Sequence, residues 1–317
     1  MLNTKGVSIV IPVYNGASTI NDCLQAVLNL DWQGQLEVIV VDDGSKDNTV
    51  DVVGRYKQVT LIKVSNGGAA AATNIGIKHA NYDIIISLDS DAILDRHWMN
   101  YIIPWFDDLL VGAVAGYADT ANKTLVGKVM GYDVERRLLS MGRITNHLYT
   151  MNTAYRRTAL EEIGFFSECM KIGYDVDISR RLVNAGYKLI MEPRARCKHY
   201  WRDDLKGYLK SQYGYAKFRI KIFSKFKVAS DKLVEPSMLI QAPFSLVVLL
   251  VSIIGVAYSH LLGLVILLLY LINLPNVMFA VTRKKEVAVA LVMPWVYTIR
   301  NLAWLWALIV WGVNGIV

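Results

Sequence analysis

Residues 83–91, with the sequence DIIISLDSD, predict one strand followed by a pair of carboxylates. The run from Asp83 to Leu88 is short, apolar and β-branched, which is typical of a buried strand. Asp89 and Asp91 follow it directly, one residue apart. Such a pair suits a hard cation, Mg²⁺ or Mn²⁺, held together with the phosphates of a substrate. The alternative is a solvated turn without a ligand, so the surrounding sequence has to decide.

Upstream of this strand, predicted strands and helices alternate. Strands are predicted at 7–13, 36–41 and 59–64, and helices at 18–28, 47–56 and 69–80. This order is typical of an α/β fold with a mostly parallel sheet. Because crossovers between parallel strands are right-handed, the loops after the strands lie along one edge, where open α/β sheets bind ligands.

Four loops are therefore expected at that edge, at 12–16, 42–45, 66–68 and 89–91, and their residues suit a nucleotide diphosphate with a metal. Tyr14 can stack on a base, and Asp42 or Asp43 can accept a hydrogen bond from a base N–H or a ribose hydroxyl. The simpler alternatives are a plain turn at Tyr14 and a helix cap at Asp43. The chain lacks the Gly-x-Gly-x-x-Gly and Gly-x-x-x-x-Gly-Lys-Ser/Thr motifs, which argues against dinucleotide and P-loop sites.

The last third of the chain is apolar. No Asp, Glu, Lys or Arg occurs from Pro236 to Thr282, so two membrane spans are predicted, at about 237–258 and 261–281, joined by a turn at residues 259–260. A third apolar block, 287–317, is interrupted by Pro294 and Arg300. It is either one kinked span, or an interfacial segment to residue 299 followed by a span; the cost of an unpaired arginine in a bilayer favours the second.

The net charge of +7 is unevenly distributed, since residues 194–227 carry a net +9. This is a local basic strip rather than a general nucleic-acid footprint, so no nucleic-acid partner is predicted. Residues 203–227 alternate lysines with apolar residues at helical spacing, which predicts a basic amphipathic helix on a membrane surface; a solvated helix is the alternative. The predicted organisation is an α/β domain at 1–202, an interfacial helix region at 203–235 and a transmembrane region at 236–317.

The start of the chain does not resemble a signal peptide, so the first domain is expected in the cytoplasm. The basic run Arg283-Lys284-Lys285 agrees with this orientation by the positive-inside rule. The sequence thus predicts a multi-pass protein of the cell membrane that is in contact with lipids. It does not decide between a monomer and a homo-oligomer.

Several sequence blocks follow one another in a set order: Val7–Gly16, Val40–Ser45 with Asp47 and Thr49, Asn66–Gly68 with Asn74–Gly76, Leu88–Asp91, Asn152–Arg157, Ile163–Phe166, Gly173–Leu182, Gly186 with Tyr187, Pro193, and His199. With these blocks the sequence resembles, over residues 5–200, the family-2 glycosyltransferases, which have the Rossmann-like GT-A fold.

The resemblance implies an inverting transfer of a sugar from a nucleotide-sugar donor, with a divalent metal, Mn²⁺ or Mg²⁺. It implies that Asp91 ligates the metal, that His199 assists at the metal or diphosphate unless it is only structural, and that Asp175 is the general base. The implied donor-binding residues are Pro12, Tyr14, Asp42, Asp43, Asn66, Gly68, Asp89 and Ser90. Two positions depart from the family pattern: Thr73 replaces an arginine that reaches the donor, and Tyr174 replaces an acidic neighbour of the base.

The presence of Asp175 favours a hydroxyl acceptor, because a phosphate acceptor is already an anionic nucleophile and needs no base. The predicted membrane segments favour an acceptor that is lipid-linked or part of a cell-surface glycan. The sequence after Asp175 lacks a Gln-x-x-Arg-Trp pattern of processive synthases, which favours transfer of one or a few sugars. The alternatives are a polyprenyl-phosphate glycosyltransferase and a non-catalytic membrane subunit that binds nucleotide sugars.

Overall fold

The structure, a computed structural model, describes residues 6–226, 247 and 259–314. The chain divides into two compact units. The sheet unit comprises Met1–Ala121 and Leu138–Tyr200, and the helical unit comprises Asn122–Arg137 and Trp201–Val317. The helical unit thus includes a segment from the middle of the chain, whereas the domains predicted from the sequence are continuous.

Within the described residues, nine strands form one mixed sheet in the order β3-β2-β1-β4-β8-β6-β9-β5, with β7 also paired to β9. The expected α/β fold with a largely parallel sheet is confirmed. The strands are β1 Val7–Val13, β2 Leu36–Asp42, β3 Thr60–Lys63, β4 Ile84–Leu88, β5 Ala92–Leu94, β6 Val111–Thr120, β7 Ile144–Thr145, β8 Asn152–Arg156 and β9 Lys188–His199.

The first half of the sheet, from β3 to β4, is entirely parallel. Its connecting helices are α1 Ile20–Leu28, α2 Thr49–Val53 and α3 Ala69–His79. Helix α3 lies directly on β1, since a Cβ atom added to Gly76 would be 2.3 Å from a methyl group of Val10. Apart from Ser8 and Ser87, the residues of β1 and β4 are apolar, and all but Pro12 are buried. This half therefore forms the core that fixes the loops at its carboxyl edge.

The second half of the sheet mixes directions, because β8 runs antiparallel to β4 and β6, and β5 runs antiparallel to β9. The helices here are α4 Trp98–Ile102, continued by a 3-10 helix Ile103–Asp107, α6 Arg157–Ile163 and α7 Tyr174–Asn184. The antiparallel pairing is important for the site because it places His199, the last residue of β9, opposite Ala92 and beside the carboxylate pair.

The described helices of the helical unit are α5 Leu125–Ser140, whose last turn belongs to the sheet unit, α8 Leu205–Phe226, α9 Ser259–Ile272, α10 Leu274–Met278, continued by a π-helix Phe279–Arg283, and α11 Val287–Asn314. Helix α8 confirms the predicted helix at 203–227. A buried cluster of Val129, Tyr132, Tyr208, Phe279, Val289, Met293 and Tyr297 holds α5, α8 and α11 together. The tyrosine hydroxyl of Tyr297 donates to the backbone oxygen of Val129 at 3.4 Å.

The predicted spans have different outcomes. The segment 237–258 lies outside the described residues, apart from residue 247. The segment 261–281 is helical but bends by 74° between Gly263–Ile272 and Leu274–Arg283. Residues 259 and 260 were expected to form a turn, which is wrong: they are the first residues of helix α9, whose apolar sequence follows them directly.

In the third apolar block, residues 287–314 form one helix. The expected break at Arg300 is wrong, since α11 runs unbroken through Pro294 and Arg300. The expectation assumed an unpaired arginine, but Arg300 is buried with its Nη1 atom 3.9 Å from Asp133 Oδ2. Its Nε atom also donates to Asn301 Oδ1 at 3.1 Å. Within the described residues, Val287–Trp311 is the one single helix long and apolar enough to cross a membrane.

Candidate active site

The loops after β1, β2, β3 and β4 are joined at the carboxyl edge of the sheet, as predicted. The backbone N–H of Asn15 donates to Ser45 Oγ at 2.9 Å, and that of Gly16 donates to Thr49 Oγ1 at 2.9 Å. Asn15 adopts a left-handed conformation, with φ of 51°, to make the turn. A Cβ atom on Gly16 would lie 3.4 Å from Ser90 Oγ, so the loop after β4 also lies against this turn.

The neighbouring aspartates Asp42 and Asp43 have different environments, although from the sequence either could contact the base or ribose. Both are buried, but the two carboxylate oxygens of Asp43 accept hydrogen bonds from the backbone N–H groups of Gly67 and Gly68, at 2.7 and 2.9 Å. The Asn66 side chain donates to the Asp43 backbone oxygen at 2.9 Å. Asp43 therefore shapes the loop at 66–68, where Gly68 has a φ of 94°.

Asp42 keeps an acceptor available for a ligand. Its Oδ2 atom accepts a long hydrogen bond from the Ser45 backbone N–H at 3.3 Å. Its Oδ1 atom is buried and has no hydrogen-bond partner among the described residues. Because an unsatisfied buried acceptor is costly, a ligand donor at this position is a reasonable explanation. Tyr14, at the end of β1, is 49% exposed, as a base-stacking residue would have to be.

The other donor-binding candidates are less decisive. Pro12 is half-buried in β1, Asn66 is exposed, and Ser90 is half-buried between the two carboxylates. Thr73 is buried, and its hydroxyl donates to the Ala69 backbone oxygen at 2.8 Å within the same helix.

The carboxylate pair forms a three-residue cluster with His199. The Nε2 atom of His199 is 3.1 Å from Asp91 Oδ1 and 3.5 Å from Asp89 Oδ2. One ligand atom from each of the three residues lies within 4.8 Å of the others. His199 is buried, whereas about a third of each carboxylate side chain is exposed, so the cluster opens to solvent on its acidic side.

The local backbone fixes this arrangement from both sides. The backbone N–H of Tyr200 donates to the Asp91 oxygen at 3.0 Å, and that of Asp89 donates to the Met151 oxygen at 3.0 Å. The cluster therefore joins the ends of β4 and β9.

The protonation of His199 reflects the two carboxylates. Burial alone lowers the pKa of the imidazole, but the charge of Asp91 and hydrogen bonds with Asp89 and Asp91 outweigh it and raise the pKa of His199 to about 10. Two carboxylates and an imidazole are also a donor set that Mn²⁺ accepts. The residues therefore fit a divalent metal, and Asp89, Asp91 and His199 would hold it.

Asp175, the predicted base, lies in the first turn of α7. Gly173, at the start of this helix, has a φ of 78°, which lets the chain turn sharply into it. The helix N-terminus favours the ionised carboxylate. Asp175 Oδ2 is 3.7 Å from the Nε2 atom of His147, and the Asp175 side chain is 24% exposed. The carboxylate is therefore open enough to meet an acceptor.

The predicted base and the carboxylate pair are joined by one segment, residues 147–151. Nε2 of His147 lies 3.7 Å from Asp175 Oδ2, and the backbone oxygen of Met151 accepts from the Asp89 N–H at 3.0 Å. Burial first, and then the charges of Asp175, Tyr174 and Asp89, raise the pKa of the Tyr155 phenol.

Sequence reasoning missed one residue of this region, His147. It is nearly fully buried and faces Asp175, although it lies outside every block that carries the family resemblance. A single histidine 28 positions before the aspartate gives no recognisable spacing signal, because only the fold brings the two together.

Known proteins that are similar to this chain are glycosyltransferases and glycan synthases. A family model described as "Glycosyl transferase family 2" matches residues 8–164. A poly-beta-1,6-N-acetyl-D-glucosamine synthase from Staphylococcus aureus is 30% identical over 224 residues, which cover 67% of this chain and 54% of that protein. A synthase of the same name from Staphylococcus epidermidis is 31% identical over 205 residues, or 61% of this chain and 49% of that protein. The chain thus spans about half the length of these curated relatives.

Solved structures share the fold. A mannosyltransferase from Pyrobaculum calidifontis, solved in complex with GDP-Man and Mn²⁺, aligns with a TM-score of 0.60 at 22% identity and covers 98% of this chain and 88% of its own. GalNAc-T7 with UDP, GalNAc and Mn²⁺ aligns with a TM-score of 0.51 at 18% identity, over 68% of this chain and 51% of its own.

Proposed function

Since the chain belongs to glycosyl transferase family 2, we propose that it transfers a sugar, with inversion, from a nucleotide-sugar donor to a hydroxyl of a lipid-linked or cell-surface glycan acceptor. The observation that carries this proposal is the cluster of Asp89, Asp91 and His199 at the carboxyl edge. The segment that contacts Asp89 through Met151 also faces Asp175 through His147.

The donor diphosphate is assigned to the acidic cluster. A divalent metal bound there would neutralise the leaving diphosphate as a Lewis acid. The buried Oδ1 atom of Asp42 is the proposed acceptor for a base N–H or ribose hydroxyl, and Tyr14 provides an exposed aromatic face for the base. Asp43 acts indirectly, by holding the backbone of Gly67 and Gly68.

Asp175 is assigned the proton transfer. As the acceptor oxygen attacks the anomeric carbon, a new carbon–oxygen bond forms, the bond from that carbon to the diphosphate oxygen breaks, and the hydroxyl proton moves to Asp175. Attack opposite the leaving group inverts the anomeric carbon. A positioned general base contributes about 10²–10⁴-fold to such a reaction, which is why a hydroxyl acceptor accounts for this carboxylate better than a phosphate acceptor does.

The relatives support the acceptor class. The name of the Staphylococcus aureus relative describes a β-1,6-linked sugar polymer, and such a linkage joins one sugar to a hydroxyl oxygen of the next. This chain lacks the Gln-x-x-Arg-Trp pattern after Asp175, and Gln212 instead accepts a hydrogen bond from Trp304 Nε1 at 3.1 Å in the helical unit. We therefore expect a product extended by one or a few sugars.

Attachment of the helical unit to the cell membrane, with the sheet unit in the cytoplasm, is part of the proposal. Helix α11 presents an exposed apolar stripe of Val287, Leu291, Trp295, Ile299 and Trp306, and the bent pair presents Leu264, Leu267, Leu271, Leu274, Met278 and Val281. Apolar stripes of this length are typical of a lipid contact. In the same unit, Lys284 is ion-paired with the fully buried Glu135, so the basic run before α11 is anchored to α5.

Transfer from a panel of radiolabelled nucleotide sugars, with Mn²⁺ and membrane lipid extract, tests the function. We expect a metal-dependent product whose sugar resists mild acid, because an ordinary glycoside is stable there. A sugar released by mild acid would instead identify a polyprenyl-phosphate acceptor. Donor binding without transfer or hydrolysis of any donor would favour a non-catalytic subunit.

A further inference from the structure

We propose that His147 is a positioning residue that orients the Asp175 carboxylate for proton transfer. This inference rests on the proposed function, in which Asp175 is the base. The two side chains form a histidine–carboxylate pair in which the histidine is 3% exposed and the aspartate 24% exposed. One partner is thus fixed inside the protein, and the other reaches the surface of the site.

The geometry of the pair brings the imidazole within range of one carboxylate oxygen. Nε2 of His147 is 3.7 Å from Asp175 Oδ2, which is ion-pair range and slightly beyond a hydrogen bond. Catalytic hydrogen bonds are often long before the substrate binds and shorten in the complex. When the imidazole N–H holds Oδ2, the carboxylate is fixed in the orientation in which it receives the proton of the acceptor.

The backbone around His147 is fixed by the same helix that carries Asp175. Ser179 follows Asp175 by one helical turn, so both side chains lie on one face of α7. Its Oγ atom accepts from the Leu148 backbone N–H at 3.1 Å and donates to the Leu148 backbone oxygen at 3.4 Å. Helix α7 therefore fixes the residue next to His147 and the carboxylate that His147 faces.

Local contacts to the backbone and to the ring also hold His147 in place. Thr145 Oγ1 donates to the His147 backbone oxygen at 3.3 Å. The ring of Tyr149 meets the imidazole edge to face, with centroids 5.1 Å apart. These contacts restrict the ring, and a restricted partner is what positioning requires, because a displacement of about 1 Å at a reacting group can cost about 10²-fold in rate.

The same segment also joins the metal side of the site. The backbone oxygen of Met151, four residues after His147, accepts from the Asp89 N–H at 3.0 Å. The loop at 146–151 therefore contacts both α7 and the end of β4. His147 therefore lies in a loop that links the helix of the base to the segment of the carboxylate pair.

The test compares His147→Gln with His147→Phe in the full-length protein. Glutamine can place an N–H near the position of Nε2, whereas phenylalanine keeps the ring volume and the contact with Tyr149 but removes the donor. We expect His147→Phe to lower kcat at least about 10-fold. His147→Gln should recover most of that loss, and donor KM and donor Kd should stay unchanged in both variants.

Controls separate the failure of this inference from that of the proposed function. His97→Gln changes an exposed histidine–aspartate pair, with Asp31 at 3.4 Å, and should leave kcat unchanged. The positioning role alone is refuted if Asp175→Asn is inactive but both His147 variants keep the wild-type kcat. It is also refuted if His147→Phe has a higher kcat than His147→Gln. If Asp175→Asn retains transfer, the proposed function itself fails. Donor binding and thermal unfolding verify that each variant is folded.

Discussion

Binding of Mn²⁺ by the site is predicted to displace a proton from His199. In the metal-free protein the pKa of His199 is raised to about 10, so the imidazole carries a proton at neutral pH, between Asp89 and Asp91. An imidazole binds a metal only after it loses that proton. The apparent affinity for Mn²⁺ should therefore rise with pH, and continue to rise until the pH approaches the pKa.

The size of this effect follows from the difference between the working pH and the pKa of His199. At pH 7 the group is about three units below its pKa, so removing the proton costs about 4 kcal/mol of the metal-binding free energy, or roughly 1.4 kcal/mol for each unit. Between pH 6 and 8, affinity should increase about tenfold for each pH unit. One proton should be released for each ion bound.

Isothermal titration calorimetry of the detergent-solubilised protein, in buffers of different ionisation enthalpy, measures both quantities. The control is His199→Gln, in which Asp89 and Asp91 remain but the titrating group is absent, so the pH dependence should be lost. An affinity that does not change from pH 6 to 8, with no proton released, would refute the assignment of His199 as a metal ligand.

Two substitutions test the supporting structure. Asp43→Ala removes the carboxylate that accepts from the N–H groups of Gly67 and Gly68, and losing hydrogen bonds to a charged group should cost about 1.5–3 kcal/mol of unfolding free energy or, if the loop opens, weaken donor binding. Denaturant titration and donor Kd measure the two effects, and an unchanged value for both would contradict the role of Asp43. Arg300→Met removes the buried ion pair between Arg300 and Asp133 in the helical unit, and it should lower the unfolding free energy by up to about 3–5 kcal/mol. Thermal unfolding in detergent measures this change. Wild-type stability would mean that the pair with Asp133 contributes nothing.

The first half of the sheet could be predicted from the sequence because its signals are local. Strand β1 has the predicted bounds, and helix α3 ends one residue earlier than expected. Buried parallel strands are continuous apolar runs, and turn residues separate them clearly from the helices. The carboxylate pair was placed correctly for the same reason, since it directly follows such a strand.

The second half could not be predicted in this way because its pairing is distant in sequence. Strand β5 is three residues long and exists through its pairing with β9, about a hundred residues later. Helix α5 contains charged residues among its apolar ones, and two of them are buried because they pair with distant residues. Glu135 pairs with Lys284 and Asp133 with Arg300, and the local sequence does not indicate either partner. His147 was missed for the same reason.

The most direct test of the central claim is the rate of transfer by Asp175→Asn with a donor and acceptor that the wild-type enzyme uses. Asparagine keeps the size of the side chain but cannot accept the proton, so we predict that kcat falls about 10²–10⁴-fold while donor Kd in the presence of Mn²⁺ is unchanged. Transfer at the wild-type rate would show that the hydroxyl proton leaves by another route and would contradict the account.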